Sequence, residues 1–318
     1  MKFKSTKLEV LLLSLQWYWY RCKNGLKMTQ ELKALIHFPK EYFEGLSTLY
    51  RNGLANFAPT REQDLKHACD RFAFSRDRED MLRVLVIGPA DGVFDIAVID
   101  YLVNKFGKIS YVVVEPAKDE IQKFEDLVKS KQEQSLWTTV NFEFYPCTIE
   151  AYLTEIERGA THGSFDIILL QHSAYHIMDP ANVFAELYGQ LNGGGMLYCQ
   201  IDTGPMEEVR LRVGSVVSDS IPRFGSTALR KMLQRCMPHV KIHTQYRKMN
   251  FKAGECFKEE SRDGNLIVDF LVQLHDFRKT APREVVDDIM KFIRDSCYEL
   301  DNNMYFPADD EDIIMIKE

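Results

Sequence analysis

Short apolar runs rich in β-branched residues alternate with longer amphipathic segments through the middle of this chain. Between Met81 and Asp202 these runs read, in order, MLRVLVIG, ISYVVVEP, VNFEFYP, FDIILLQ and GGMLYCQID. The segments between them carry apolar residues at the spacing of helices that bury one face. Strands alternating with helices of this length form βαβ units, so the pattern predicts an α/β fold, a doubly wound and mostly parallel sheet covered by helices on both faces.

Two flanking segments, residues 28–75 and 203–318, read mainly as helices, the last of which is REVVDDIMKFIRDSCYEL. Within the second segment, VKIHTQYRKMNF reads as one strand and DIIMIKE near the end as a final strand. No internal repeat and no linker long enough to divide the chain is visible, so we expect residues 28–318 to form a single domain. Before them, LEVLLLSLQWYWY resembles the core of a signal peptide, but it is short for a bilayer span and no cleavage site follows it. We interpret residues 1–27 as an extension that plays no part in the function.

The composition excludes some classes of function. Over 318 residues the formal net charge is -7, which argues against a nucleic-acid partner because proteins that bind nucleic acids usually present a basic surface. The seven cysteines are scattered, with no C-x-x-C pair and no Cys/His cluster, so the sequence supports neither a zinc site nor a disulfide framework. His172 and His176 likewise show no metal-site partners nearby in sequence. These features favour a cytoplasmic protein with free thiols and without a metal.

A glycine-bounded loop, Gly88 to Gly92 (GPADG), follows the first predicted strand, and Glu115 follows the second. In an open parallel sheet, ligands bind beyond the carboxyl ends of the strands at the switch point. A glycine turn lets the backbone approach a ligand closely, and an acid after the second strand can accept hydrogen bonds from both hydroxyls of a ribose. The spacing differs from the G-x-G-x-x-G of dinucleotide binders. By themselves, these two features leave NAD and S-adenosylmethionine open as the ligand.

Three further features favour S-adenosylmethionine. Asp91 in the loop would repel a diphosphate, whereas it is compatible with a cationic sulfonium. The segment QHSAYH after the fourth strand places polar and aromatic groups where a methyl acceptor would bind. No second domain with residues suited to hydride transfer is apparent. The sequence therefore predicts methyl transfer.

Four segments resemble the histamine N-methyltransferase family: VLVIGPADGVFDI, VVVEPAKDEIQKFEDLV, FDIILLQHSAYHI and DGNLIVDFLVQLHDFRKTAP. The resemblance runs from about Met28 to Glu318. It implies a monomeric, cytosolic class I methyltransferase with a Rossmann-like fold, which moves a methyl group from S-adenosylmethionine to an imidazole nitrogen of a small-molecule amine. Because the family includes a carnosine-methylating enzyme, it does not define the acceptor. The resemblance also implies a cofactor half at about 80–202, with the helical substrate-binding elements at about 28–75 and 203–318.

Residue by residue, the resemblance implies two sets of contacts. The cofactor-binding positions are Gly88, Glu115, Glu120, Thr148, Ile149 and Leu170. The substrate-binding positions are Tyr42, Glu62, Gln171, Tyr175, Phe270 and Asp309. Among these, we expect the carboxylates of Glu62 and Asp309 and the amide of Gln171 to do the catalytic work, because they can bind an ammonium group and aim the reacting lone pair at the methyl group.

The chain departs from the family pattern at several of these places. Pro89-Ala90-Asp91 replaces a glycine-rich loop, and Asp309 stands where the family has an asparagine. The departures leave open an alternative, a catalytically weak methyltransferase fold that binds or regulates, and an enzyme acting on a protein or nucleic-acid target is a further one. Individual residues have simpler interpretations too: Glu62 as an acid in the first turn of a helix, residues 309–312 as a solvated acidic loop, and the three aromatic residues as core.

Overall fold

The computed structural model describes residues 32–72, 81–159, 163–214 and 222–318, so the extension proposed for residues 1–27 lies outside the described residues. The helices are α1 (Pro39–Arg51), α2 (Ala58–Phe72), α3 (Ile96–Lys105), α4 (Lys118–Glu133), α5 (Ile149–Glu157), α6 (Pro180–Gly189), α7 (Pro205–Gly214), α8 (Ser226–Cys236), α9 (Arg262–Val272), α10 (Phe277–Thr280) and α11 (Arg283–Ser296). The strands are β1 (Met81–Ile87), β2 (Lys108–Val114), β3 (Val140–Tyr145), β4 (Phe165–Gln171), β5 (Leu191–Asp202), β6 (Ile242–Arg247), β7 (Asn250–Lys252), β8 (Tyr298–Leu300), β9 (Asn303–Pro307) and β10 (Asp310–Ile316). No helix within these ranges has both the length and the apolar character needed to cross a membrane.

Seven of the described strands form one sheet in the order β3-β2-β1-β4-β5-β10-β6. The first five strands in this order, β3, β2, β1, β4 and β5, pair in parallel. β10 runs antiparallel to both β5 and β6. The predicted α/β fold with a doubly wound, mostly parallel sheet is therefore confirmed. The strand order reverses between β1 and β4, so the ligand crevice of such a sheet lies beyond the carboxyl ends of these two strands.

Both faces of the sheet are buried, which explains why its strands read as unbroken apolar runs. Along β1, Val84 and Val86 belong to one hydrophobic cluster, and Leu85 and Ile87 belong to the cluster on the opposite face. Successive side chains of a strand point to opposite faces, so a strand covered on both sides is mainly apolar at consecutive positions. The polar residues that follow β1, β2 and β4 therefore mark one edge of the sheet.

The described residues fall into two compact units. The first comprises the described parts of Met1–Asn52, Glu208–Arg223 and Phe251–Phe306, and the second those of Gly53–Glu207, Phe224–Asn250 and Pro307–Glu318. The second unit contains the seven-stranded sheet. The other three described strands form a small second sheet of order β7-β9-β8, in which β8 and β9 are antiparallel.

Three sequence interpretations beyond Asp202 differ from the structure. The helix α7 (Pro205–Gly214) was not predicted, because it shows little separation of apolar and polar faces. The segment VKIHTQYRKMNF is not a single strand but two, β6 and β7, which belong to different sheets. The last predicted helix ends at Ser296 rather than continuing through CYEL, because Cys297 has extended backbone angles and leads into β8.

Candidate active site

The glycine loop after β1 has a backbone that only glycine fits at its two ends. Gly88 has a φ of +65°, its N–H donates to the carbonyl oxygen of Val114 at 2.8 Å, and a Cβ atom there would lie 2.5 Å from the Cβ of Ser173. Gly92 has a φ of +74°, and a Cβ atom there would overlap the ring of Phe124. Both glycines are thus required by left-handed backbone and by close packing. The loop lies at the switch point of the sheet.

The loop is tied to its neighbours on both sides. The Ser173 hydroxyl, which follows β4, donates to the carbonyl oxygen of Ile87 at 2.6 Å. Glu115, after β2, is 7% exposed, and its carboxylate accepts the N–H of Ala90 at 3.1 Å and that of Ala117 at 2.8 Å. Burial raises the pKa of Glu115, and the two N–H donors oppose this effect. Each carboxylate oxygen has a second lone pair, so Glu115 can still accept from ribose hydroxyls.

The other cofactor positions follow the carboxyl ends of β2, β3 and β4. Glu120 is buried in the first turn of α4, and its carboxylate accepts a hydrogen bond from the Lys123 ammonium group at 2.6 Å. Thr148 caps α5, its hydroxyl oxygen accepting the N–H of Ala151 at 3.4 Å, and Ile149 is buried in the core. The Leu170 side chain is fully buried in the hydrophobic core on one face of the sheet, so only its backbone can contact a ligand.

Gln171 is the last residue of β4 and is half-buried. Its Nε2 atom is buried and has no hydrogen-bond partner among the residues that the structure describes. A buried amide donor left unpaired costs about 1–3 kcal/mol, so such a group usually has a partner. A ligand that accepts a hydrogen bond from Gln171 would remove this cost.

The residue after Gln171 is the centre of a cluster that sequence spacing did not predict. The His172 Nδ1 atom lies 3.1 Å from the Tyr175 hydroxyl and 3.4 Å from the Asp202 carboxylate, and the Nε2 atom lies 3.4 Å from the Asp310 carboxylate. The sequence showed no metal-site partners near His172, but the fold brings two carboxylates to its ring, because β5 pairs with β4 and β10 pairs with β5. Burial lowers the pKa of His172, but the Asp310 and Asp202 carboxylates outweigh it, so the pKa is raised.

Asp310 is already balanced by positive charge from two other elements. Its Oδ2 atom pairs with Arg61 of α2 at 3.0 Å and with Arg247 of β6 at 3.2 Å. Arg247 also pairs with Asp64 and Asp312, each at 2.7 Å. Guanidinium groups therefore supply the positive charge of this cluster, and a buried carboxylate needs such partners to remain ionised.

The acidic run at residues 309–312 is buried, not solvated. Its members Asp309, Asp310, Glu311 and Asp312 are 8%, 1%, 6% and 0% exposed, so the interpretation as a solvated loop is wrong. Three of them begin β10, and their charges meet arginines; Glu311 pairs with Arg230 at 3.2 Å. Runs of charged residues usually lie in solvent, but this run is buried because arginines from other elements pair with its carboxylates.

Asp309, immediately before β10, is bonded through both oxygens of its carboxylate. The Oδ1 atom accepts the N–H of Met249 at 3.0 Å, and the Oδ2 atom accepts a hydrogen bond from the Tyr246 hydroxyl. Its backbone carbonyl accepts the N–H of Thr203 at 2.9 Å, which joins the residues after β5 to the start of β10. Asp309 thus holds two segments of the second unit in place.

Glu62 is half-buried on α2. Its interpretation as an acid of the first helical turn is wrong, because α2 begins at Ala58. Arg61 and Asp64 on the same helix pair with Asp310 and Arg247, so α2 is attached to the sheet on both sides of Glu62.

The remaining two predicted acceptor residues lie in the first unit and contact each other. The rings of Tyr42 on α1 and Phe270 on α9 have centroids 5.2 Å apart and are tilted by 55°. Phe270 is buried and Tyr42 is half-buried. Glu62, Gln171 and Asp309 lie in the second unit.

A model of the family described as "Methyltransferase domain" matches residues 55–236. Histamine N-methyltransferase of Danio rerio is 21% identical over 294 residues, which cover 83% of this chain and 95% of that protein. Carnosine N-methyltransferase 2 of Gallus gallus is 23% identical over 223 residues, which cover 63% of each protein. Among solved structures, the plantazolicin methyltransferase BpumL in complex with SAH has a TM-score of 0.45 and 10% sequence identity, covering 86% of this chain and 89% of that one.

Proposed function

Because the chain belongs to the methyltransferase-domain family, whose model matches residues 55–236, we propose that it is an S-adenosylmethionine-dependent N-methyltransferase acting on a small amine that is histamine-like or bears an imidazole. The amine is suggested by relatives named histamine and carnosine N-methyltransferases. The observation that carries the proposal is the buried Nε2 atom of Gln171, which finds no hydrogen-bond partner in the described part of the chain. Gln171 lies at the carboxyl end of β4, the strand beside the glycine loop.

The cofactor is S-adenosylmethionine, which when bound supplies an electrophilic methyl group on a sulfonium. Gly88 allows the backbone of the loop to approach it, since the loop has no Cβ atom at this turn. The Glu115 carboxylate accepts hydrogen bonds from the ribose hydroxyls through its remaining lone pairs. Glu120, Thr148, Ile149 and the backbone of Leu170 line the same edge of the sheet and complete the site on the adenosine side.

The acceptor residues orient the amine and remove it from water. The Gln171 amide donates a hydrogen bond to a nitrogen or oxygen of the acceptor that does not react, which leaves the lone pair of the reacting nitrogen aimed at the methyl group. Glu62 attracts an ammonium group. Tyr42 and Phe270 are assigned to acceptor binding by the family resemblance alone. Methyl transfer needs mainly such positioning and desolvation.

Asp309 belongs to the same proposed acceptor site. Hydrogen bonds from Tyr246 and Met249 to its two oxygens fix the carboxylate, and the remaining lone pairs can accept from the ammonium group of the amine. Tyr175 belongs to the acceptor site through its position three residues after His172 and its contact with that ring.

Calorimetry with S-adenosylhomocysteine tests the cofactor site. The wild-type chain should bind it, and Glu115→Ala should weaken binding about 10-fold to 100-fold, because a charged group loses its hydrogen bonds. Glu143→Ala, at a partly exposed position of β3, is the matched control and should bind as the wild type does. No binding by the wild type would favour the alternative in which the fold binds or regulates without methyl transfer.

Transfer of a labelled methyl group to histamine and to carnosine tests the acceptor site. Gln171→Leu keeps the shape of the side chain but removes the donor, so it should lower kcat/KM about 10-fold or more. Gln134→Leu, at the exposed end of α4, serves as the control. Unchanged rates in Gln171→Leu would place the acceptor elsewhere in the protein.

A further inference from the structure

His172 lies among the residues proposed to bind the acceptor. It follows Gln171, contacts Tyr175, and its N–H donates to the carbonyl oxygen of Gln200 at 3.0 Å. The next residue, Ser173, packs against Gly88 of the cofactor loop. His172 has a φ of +53°, a left-handed conformation that is uncommon outside glycine and that concentrates at functional sites. Its side chain is 27% exposed, so the ring is neither core nor free surface.

The contact between His172 and Tyr175 can be made in two ways. The Tyr175 hydroxyl oxygen already accepts the backbone N–H of Asp202 at 2.7 Å, and its single hydrogen is available for one bond. When a neutral His172 carries its hydrogen on Nε2, the nitrogen that faces Asp310, Nδ1 has a lone pair and Tyr175 donates to it. In a protonated His172, Nδ1 carries a hydrogen and donates to the tyrosine oxygen. The tyrosine hydrogen then turns toward a different acceptor.

Charged groups from four elements surround this ring. Asp202 at the end of β5 and Asp310 at the start of β10 approach the two ring nitrogens. Arg61 of α2 and Arg247 of β6 both pair with the Asp310 carboxylate that approaches Nε2. The pKa of His172 is lowered by burial and by Arg61, but the two carboxylates outweigh them and raise it above its ordinary value. His172 therefore loses its proton at a higher pH than an ordinary histidine does.

We propose that His172 is a positioning residue of the acceptor site, and that its proton decides whether the Tyr175 hydroxyl donates to the histidine ring or to the bound acceptor. The inference rests on the proposed function for the location of the acceptor. With His172 protonated, Tyr175 donates to a nitrogen or carboxylate of the acceptor that does not react. Loss of that proton at higher pH returns the tyrosine hydrogen to the ring, and the acceptor loses a hydrogen bond.

His172→Asn removes the titrating proton of residue 172 but keeps its backbone conformation and a hydrogen-bond donor. Asparagine tolerates left-handed backbone, and its amide donates to Tyr175 at every pH without titrating. In the wild-type chain, the ¹³Cζ resonance of Tyr175 should move with the same midpoint as the ring resonances of His172. In His172→Asn it should stay constant. This measurement needs neither acceptor nor turnover.

A Tyr175 resonance that ignores the titration of His172, or that still titrates in His172→Asn, would overturn the proposal. The second arm is kcat/KM for histamine as a function of pH. The wild type should lose about 10-fold as pH rises through the midpoint of His172, beyond the change seen in His172→Asn, and Tyr175→Phe should be low throughout. An identical pH profile in His172→Asn refutes the positioning role. Coupled resonances with no transfer to histamine or carnosine would support the coupling and instead refute the proposed acceptor class.

Discussion

Replacement of Asp95 by asparagine should change how stability depends on pH. Asp95 lies between the glycine loop and α3, is 1% exposed, and accepts the Tyr111 hydroxyl at 2.5 Å through Oδ1. Its Oδ2 atom is buried and has no hydrogen-bond partner among the described residues. Burial raises the pKa of Asp95 from 3.8 to about 7, with Asp91 adding to the rise and the Tyr111 hydrogen bond opposing it. The ionised carboxylate is therefore a cost to the folded state.

The sign and size of the effect follow from this pKa. The folded chain holds the proton of Asp95 more tightly than the unfolded chain, so the stability from this group is fully present below about pH 4 and is lost as pH rises through about 7. At roughly 1.4 kcal/mol per pH unit, a pKa raised from 3.8 to about 7 corresponds to a loss on the order of 4 kcal/mol. Asparagine resembles the protonated acid in shape and does not titrate. Asp95→Asn should match the wild type in acid and exceed it at neutral pH.

Urea unfolding followed by circular dichroism across acidic and neutral pH measures this difference. Tyr111→Phe is the informative companion, because it removes the hydrogen bond that lowers the pKa of Asp95, so its pH-dependent loss should extend to higher pH. If the gap in free energy of unfolding between wild type and Asp95→Asn is the same at acidic and neutral pH, the carboxylate is not buried in an ionised form and the reasoning fails.

Three further predictions test the structure elsewhere. Asp269 also has its pKa raised by burial to about 7, but both its oxygens accept backbone N–H groups, so Asp269→Asn should destabilise by about 1–3 kcal/mol in the same urea assay. Gly88→Ala should abolish binding of S-adenosylhomocysteine in calorimetry, because the added Cβ atom would meet Ser173. Gly159→Ala is its control: Gly159 has a φ of +72°, but an added Cβ atom would have no described atom within 4 Å, so this change should only lower the melting temperature. Arg247→Met should cost about 3–5 kcal/mol of unfolding free energy, since it leaves paired carboxylates buried without their cation.

The fold could be predicted from the sequence where burial acts on both faces of a strand. The runs that became β1, β2 and β4 are mainly apolar and lie between amphipathic helices, which is the pattern of a sheet covered on both faces. β6 has a mixed pattern of half-buried and exposed residues, so its separation from β7 was not visible. The helix α7 was missed for a related reason, since its apolar residues do not gather on one face.

The glycine loop and Glu115 could be placed together from sequence because the carboxyl ends of parallel strands share one edge. The cluster around His172 could not. Asp310 reaches it on an antiparallel strand from the far end of the chain, and no local spacing records that pairing. The arginines that allow the acidic run to be buried come from α2, β6 and α8, so a rule based on neighbouring residues described the run as solvated.

The buried acids also define the register of β10. Along a strand, alternate side chains share a face, so Asp310 and Asp312 point to one side of the sheet and Glu311 to the other. Arg247 pairs with the first two, while Arg230 pairs with Glu311. A shift of one residue would exchange the faces, so that both aspartates would leave the side of Arg247 and Glu311 the side of Arg230, and the buried charges would lose their present partners. The charges therefore hold β10 in register, and with it the position of Asp310 beside His172.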